Sequence, residues 1–197
     1  MNQLKLFGHL FALCAMLLLA GVANQAISLA QESAAPVTGA AVVKTHTYVS
    51  LDPVPRGKDF QIAVVVDIKE GYHMNSHKPR DPYLIPTTLT PQLPAGFKLA
   101  DTVYPSGQLK KFPFSPDKAL DVYSSRVTFH LRMEAGATAP IGTANIPITL
   151  RFQACNNSAC LPPVKVALTA PVQVAGADAK TRALHPEVFS AAHSEKK

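Results

Sequence analysis

Apolar and polar residues alternate with a period of two along much of this chain, a pattern that only a β-strand can use to sort its side chains onto two faces. Val127, Phe129, Leu131 and Met133 alternate with Thr128, His130 and Arg132. Ile146, Ile148, Leu150 and Phe152 alternate with Pro147, Thr149, Arg151 and Gln153, and Val164, Val166 and Leu168 resume the pattern. In the run from Phe60 through Ile62, Val64 and Val66 to Ile68, the alternates include Ala63 and Val65, which predicts a strand covered on both faces. No long amphipathic helix interrupts these runs, and Pro and Gly punctuate them. The pattern therefore predicts an all-β chain folded as an antiparallel sandwich. Pro147, Pro162 and Pro163 cannot donate to a ladder, so the strands around them are expected at sheet edges or strand ends.

The beginning of the chain reads differently. Lys5 precedes an apolar run from Leu6 to Ala23, and small residues then offer cleavage after Ala23, Ala26 or Ala30, the pattern of a secretory signal peptide over residues 1–30. The apolar stretch is short for a membrane span and no second one follows, so the mature chain is expected to have no membrane span. Cys14 follows Leu13, where lipid attachment would want a small residue. Removing Lys5 with the leader lowers the formal charge from +6 to +5, and the remaining surplus is scattered in pairs such as Lys110 and Lys111. Scattered charge of this size does not make a nucleic-acid-binding surface. Residues 31–43 read as a flexible linker and residues 44–175 as one folded domain. Residues 176–197 read as a polar tail, disordered or holding one short helix.

A secreted chain enters an oxidising compartment, which gives meaning to the two cysteines beyond the leader, Cys155 and Cys160 in FQACNNSACLPP. Asn156 and Asn157 favour a turn, so the cysteines are expected to face each other across a short hairpin loop. Opposed strand residues have Cα atoms roughly 4.5 to 5.5 Å apart, within reach of a disulfide. Three uses compete. As a structural staple, so small a ring would stabilise by only about 2 kcal/mol. As an accessible edge disulfide, the pair meets the condition for attack by another protein's thiolate. Zinc would need further ligands and reduced thiols.

Two other residue sets bear on function. His73, Met74 and His77 combine imidazole and thioether, a ligand set suited to copper, although histidines in a proline-rich loop are usually only solvated. No Gly-x-Ser-x-Gly elbow, Gly-rich phosphate loop or His-Glu-x-x-His motif is present to suggest a hydrolase.

FQACNNSACLPP, together with GYHMNSHKPRDPYLIPTTL at residues 71–89 and YPSG at residues 104–107, resembles the N-terminal domain of the thiol:disulfide interchange protein DsbD. The resemblance covers residues 44–174. It implies an immunoglobulin-like sandwich that carries reducing equivalents in the periplasm. The expected acceptors are thioredoxin-like proteins serving disulfide isomerisation or cytochrome maturation, and no cofactor or metal is implied. Cys155 and Cys160 would be the catalytic pair, with Cys160 forming the mixed disulfide and Cys155 resolving it. The full-length interchange protein continues into a membrane domain and a thioredoxin-like domain that this sequence lacks, so electrons are expected from a separate membrane donor. The tyrosines that follow the GY segment in the best-known members are replaced by His73 and Asn75, beside Tyr72. The family's cap loop matches KKFPFSPDK at residues 110–118, where Asp117 is the nearest acidic candidate. Phe112 and Phe114, framed by Pro113 and Pro116, would lie over the disulfide as a cap, or else serve as core residues on a long connection.

Overall fold

The computed structural model describes residues 36–190, so the expected signal peptide, Cys14 and the last residues of the tail lie outside the described residues. Within them the period-two runs become strands. A 3-10 turn at Gly39–Val42 leads into β1 (Val43–Val49), followed by β2 (Leu51–Asp52), β3 (Val54–Pro55), β4 (Lys58–Ile68) and β5 (His73–Asn75). Next come β6 (Thr88–Pro91), β7 (Phe97–Val103), β8 (Gln108–Phe112), β9 (Ser115–Tyr123) and β10 (Arg126–Ala135). The series ends with β11 (Gly142–Phe152), β12 (Ala154–Cys155), β13 (Val164–Ala175), β14 (Arg182–Ala183) and the one-turn helix α1 (Pro186–Phe189).

Two four-stranded sheets, β1-β4-β10-β7 and β3-β13-β11-β6, form the sandwich. Every pairing in them is antiparallel except β13 with β3. Their inward residues make one core: Phe60, Ile62, Val64 and Val66 of β4, Phe129 and Leu131 of β10, Ile146 to Phe152 at alternate positions of β11, and Ala170, Val172 and Val174 of β13. The apolar alternates Ala63 and Val65 are also buried, as the sequence predicts. Helix α1 supplies part of that second cover. Phe189 is buried and its ring lies 5.8 Å from that of His130, which pairs with Ala63 across β10 and β4. The segment after Ala175 thus carries both a strand and a short helix, and Arg182 reaches Asp52 at 3.0 Å.

The proline expectation divides. Pro162 and Pro163 precede β13, and β12 is the edge strand of a third sheet. Pro147, however, lies on β11, an inner strand between β13 and β6. It is tolerated because the pairing of β11 with β6 begins only at Ile148; at Pro147 the flank offers a carbonyl, which accepts from the Gln92 amide at 2.8 Å. An edge is therefore needed only locally, at the missing donor.

The third sheet, β12-β5-β9-β8, carries the cysteine segment. One of its faces belongs to the sandwich core through Met74, Tyr123 and Ala154. Alternation sends their neighbours the other way, and the opposite face has its own small apolar cluster of Phe112, Leu120 and Val122, with Leu84 against it.

Candidate functional site

Cys155 and Cys160 are joined by a disulfide of 2.01 Å and face each other as an isolated antiparallel bridge. The intervening loop is held as the Asn pair predicts. The Asn156 side-chain oxygen accepts from the amides of Ser158 at 2.8 Å and Ala159 at 2.9 Å, and the Asn156 amide donates to the Ala159 carbonyl at 2.9 Å. The Cα atoms are 3.9 Å apart, closer than an ordinary opposed strand pair, because loop and sulfur bridge close one short ring. Cys155 is fully buried, whereas Cys160 is partly exposed. The two cysteines are thus unequally exposed to solvent.

Cys155 pairs with His73 across β12 and β5. His73 is only 3% exposed, and its ring stacks on Phe112 with centroids 3.9 Å apart and planes 15° from parallel. Burial strips water from the imidazolium and the Lys110 charge repels it, so the His73 pKa falls to about 4 and the ring is neutral at ordinary pH. Its Nε2 is buried without a hydrogen-bond partner.

Beyond Phe112 the chain turns in a hairpin, with Phe112 opposite Ser115, so the expected cap loop is the tip of β8 and β9. Phe114 is 38% exposed and stacks on Phe112 at 5.5 Å. The rings lie in series, Phe114 on Phe112 on His73, with His73 opposite Cys155. Neither Phe belongs to the sandwich core; Phe112 belongs to the small cluster of the third sheet. A groove of about 810 Å³ opens beside this face, with Tyr72, His73, Lys110, Phe112 and Asn157 in its wall. Asp117 does not line it and is exposed on β9.

Asn75 is fully buried, its amide nitrogen donating to the Ile85 carbonyl at 3.1 Å and to Gln153 Oε1 at 3.2 Å. Gln153, a polar alternate in the sequence pattern with no role evident there, also accepts from the Ile85 amide at 3.4 Å and donates to the Leu161 carbonyl at 3.3 Å. It ties β5 to the segments on either side of the cysteine loop. The available signal was a bifunctional amide two residues before Cys155. Gly107, the last residue of YPSG, is also explained: a Cβ there would collide with Asp121 Oδ1 and Ser76 Cβ.

The set His73, Met74 and His77 is not brought together. Met74 is buried on the core face of β5 and His73 lies on the other. His77 stacks on Tyr104 with centroids 3.6 Å apart, and its Nδ1 donates to the Thr87 carbonyl at 3.0 Å. Tyr104, half-buried and accepting from the Leu89 amide at 2.8 Å, has its phenol pKa raised by burial. Among the described residues no group of three or more His, Cys, Asp or Glu is placed to hold a metal, and no helix is long and apolar enough to cross a membrane.

Residues 40–171 match the family described as thiol:disulfide interchange protein DsbD, N-terminal. Among solved structures, the DsbD N-terminal domain of Neisseria meningitidis in the reduced form is 18% identical, covering 68% of this chain and 88% of that one, with a TM-score of 0.41. The N-terminal periplasmic domain of ScsB from Proteus mirabilis is 11% identical, covering 77% of this chain, with a TM-score of 0.50. The match spans 52% of the ScsB chain, and at such identity the likeness is one of fold. No curated protein matches the chain.

Proposed function

The chain belongs to the family of N-terminal domains of the thiol:disulfide interchange protein DsbD, and from that premise we propose that it carries reducing equivalents to thioredoxin-fold partners in the periplasm through Cys155 and Cys160. Family and disulfide together make it a thiol-disulfide exchange module in general terms. The finer reading rests on one observation: the disulfide sits on an edge strand with Cys160 partly exposed and Cys155 buried. A donor thiolate attacks Cys160 Sγ, the sulfur bond breaks, and its electron pair passes to Cys155. A second donor thiol then displaces the first, leaving a donor disulfide and a Cys155/Cys160 dithiol. In delivery the Cys160 thiolate attacks a partner disulfide, and Cys155 then attacks Cys160 to release the partner as a dithiol. Phe112 and Phe114 shield the pair from adventitious thiols, with Tyr72, His73 and Asn75 shaping the wall around it. Residues 1–30 act as the export signal, residues 44–175 are the working module, and a separate membrane protein supplies the electrons.

The deciding experiment is the reduction potential of the pair against a glutathione series. Exchange requires a value above about −300 mV; one below it would make the protein a non-catalytic adaptor with a structural bridge.

A further inference from the structure

We infer that His73 is a residue of the exchange site itself: its Nε2 accepts a hydrogen bond from the Cys155 thiol in the dithiol state and thereby favours reduction of the pair. The inference rests on the exchange reading and adds a residue that acts directly on a reacting atom. Residues opposed in an antiparallel pair have Cβ atoms about 4.5 to 5.5 Å apart and project to the same face, so the His73 ring and the Cys155 sulfur share one side of the third sheet. The ring is fixed there by its stack on Phe112. Its Nε2 is buried and unpartnered while the disulfide is closed, when neither sulfur has a proton to donate. A buried polar atom left unpaired is costly, and here the missing partner is a group that reduction creates.

The balance is simple. A partner dithiol gives two electrons and two protons, becomes a disulfide, and leaves Cys155 and Cys160 as thiols. The Cys155 S–H then donates to the Nε2 lone pair. This needs a neutral ring with its proton on Nδ1, and burial beside Lys110 keeps the ring neutral. Opening the disulfide satisfies an atom that closing it orphans, so the hydrogen bond shifts the equilibrium toward the dithiol.

The test is the glutathione equilibrium of the mature protein and its His73→Phe variant, which keeps an aromatic ring to stack on Phe112 and has no acceptor. The expected result is an equilibrium constant about tenfold further toward the disulfide, a potential about 30 mV more negative. A purely structural role would lower the melting temperature and leave the potential alone, so a variant within twofold of the parent overturns the inference. If the variant does not fold, nitrogen NMR of the unmutated protein decides. Nε2 should be unprotonated in the disulfide form and its signal should move on reduction; a protonated or unmoved Nε2 refutes the role. Failure of the exchange reading looks different, because the parent's own potential would then lie below about −300 mV.

Discussion

In the sandwich core, Phe129, Phe152, Ile62 and Leu131 are fully buried and carry no polar side-chain atom that needs a partner. On the outer face of the third sheet, a few residues away in sequence, His73 Nε2 and Asn75 Oδ1 are buried without hydrogen bonds around a disulfide and a small aromatic stack. The first region gains free energy from every residue it removes from water. The second holds groups that each cost about 1 to 3 kcal/mol when unpaired, and it persists because the strands that carry it have their other face in the core. Here the reactive and unpaired groups collect where a stable element has a face to spare.

The largest effect expected from the second region is all-or-none. Cys155→Ala should trap a covalent complex with a thioredoxin-fold partner through Cys160, because no neighbouring thiol remains to resolve it, while Cys160→Ala should trap almost nothing. Non-reducing electrophoresis reads both. Equal trapping would show that burial of Cys155 does not separate the roles of the two sulfurs.

The next test sets the regions against each other directly. Phe152→Ala should destabilise by about 3 to 5 kcal/mol in chemical denaturation, the range for a buried phenylalanine. The double change Phe112→Ala with Phe114→Ala should cost less than half as much, since Phe114 is partly exposed and Phe112 sits in the satellite cluster. It should nevertheless speed reduction by dithiothreitol, because shielding acts on access to the sulfur. A stability loss equal to that of Phe152→Ala, with unchanged reduction rate, would mean that the stack is core and caps nothing.

The two regions were unequally legible in the sequence. The alternation at Phe129, Leu131, Ile148 and Leu150 announces a strand and the face it buries, because side chains two residues apart share one side of a sheet. The short strands of the third sheet carry too few residues to show a period: β5 is HMN and β12 is AC. Their pairing is set by tertiary contacts, so the opposition of His73 and Cys155 could not be read, although both residues were singled out. Asp117, the nearest acidic candidate in the segment that resembles the family's cap loop, is exposed, whereas Gln153, a polar alternate in the sequence pattern, is half-buried between the cysteine segment and Asn75. Distance along the chain is a poor guide to a site assembled from three strands.

A pH titration should separate the regions by a smaller amount. His73 has its pKa lowered to about 4 in the folded protein, against 6.5 for the free group, so the unfolded chain binds more protons between those values. Stability from this residue is fully present above about pH 6.5 and is lost as the pH falls toward 4, by at most about 3 kcal/mol. His73→Phe should remove that slope, and Phe152→Ala should keep it on a lower baseline. Parallel stability curves for the parent and His73→Phe between those limits would show that burial does not hold the ring neutral.

The smallest effect concerns which force does so. Burial is the larger cause of the lowered His73 pKa and the Lys110 charge the lesser, and the Lys110 ammonium is also turned toward Ser124 Oγ, to which it donates at 2.9 Å. Lys110→Gln should therefore raise the titration midpoint of His73 by only a small part of the distance back to 6.5, as followed by proton NMR of the ring. Phe112→Ala, which removes the stacked ring and admits water, should raise it further without touching a charge. The reverse order would make the lysine the controlling group. The outer face of the third sheet would then differ from the sandwich core in its charge, where the structure shows the difference to lie in how its polar groups are buried.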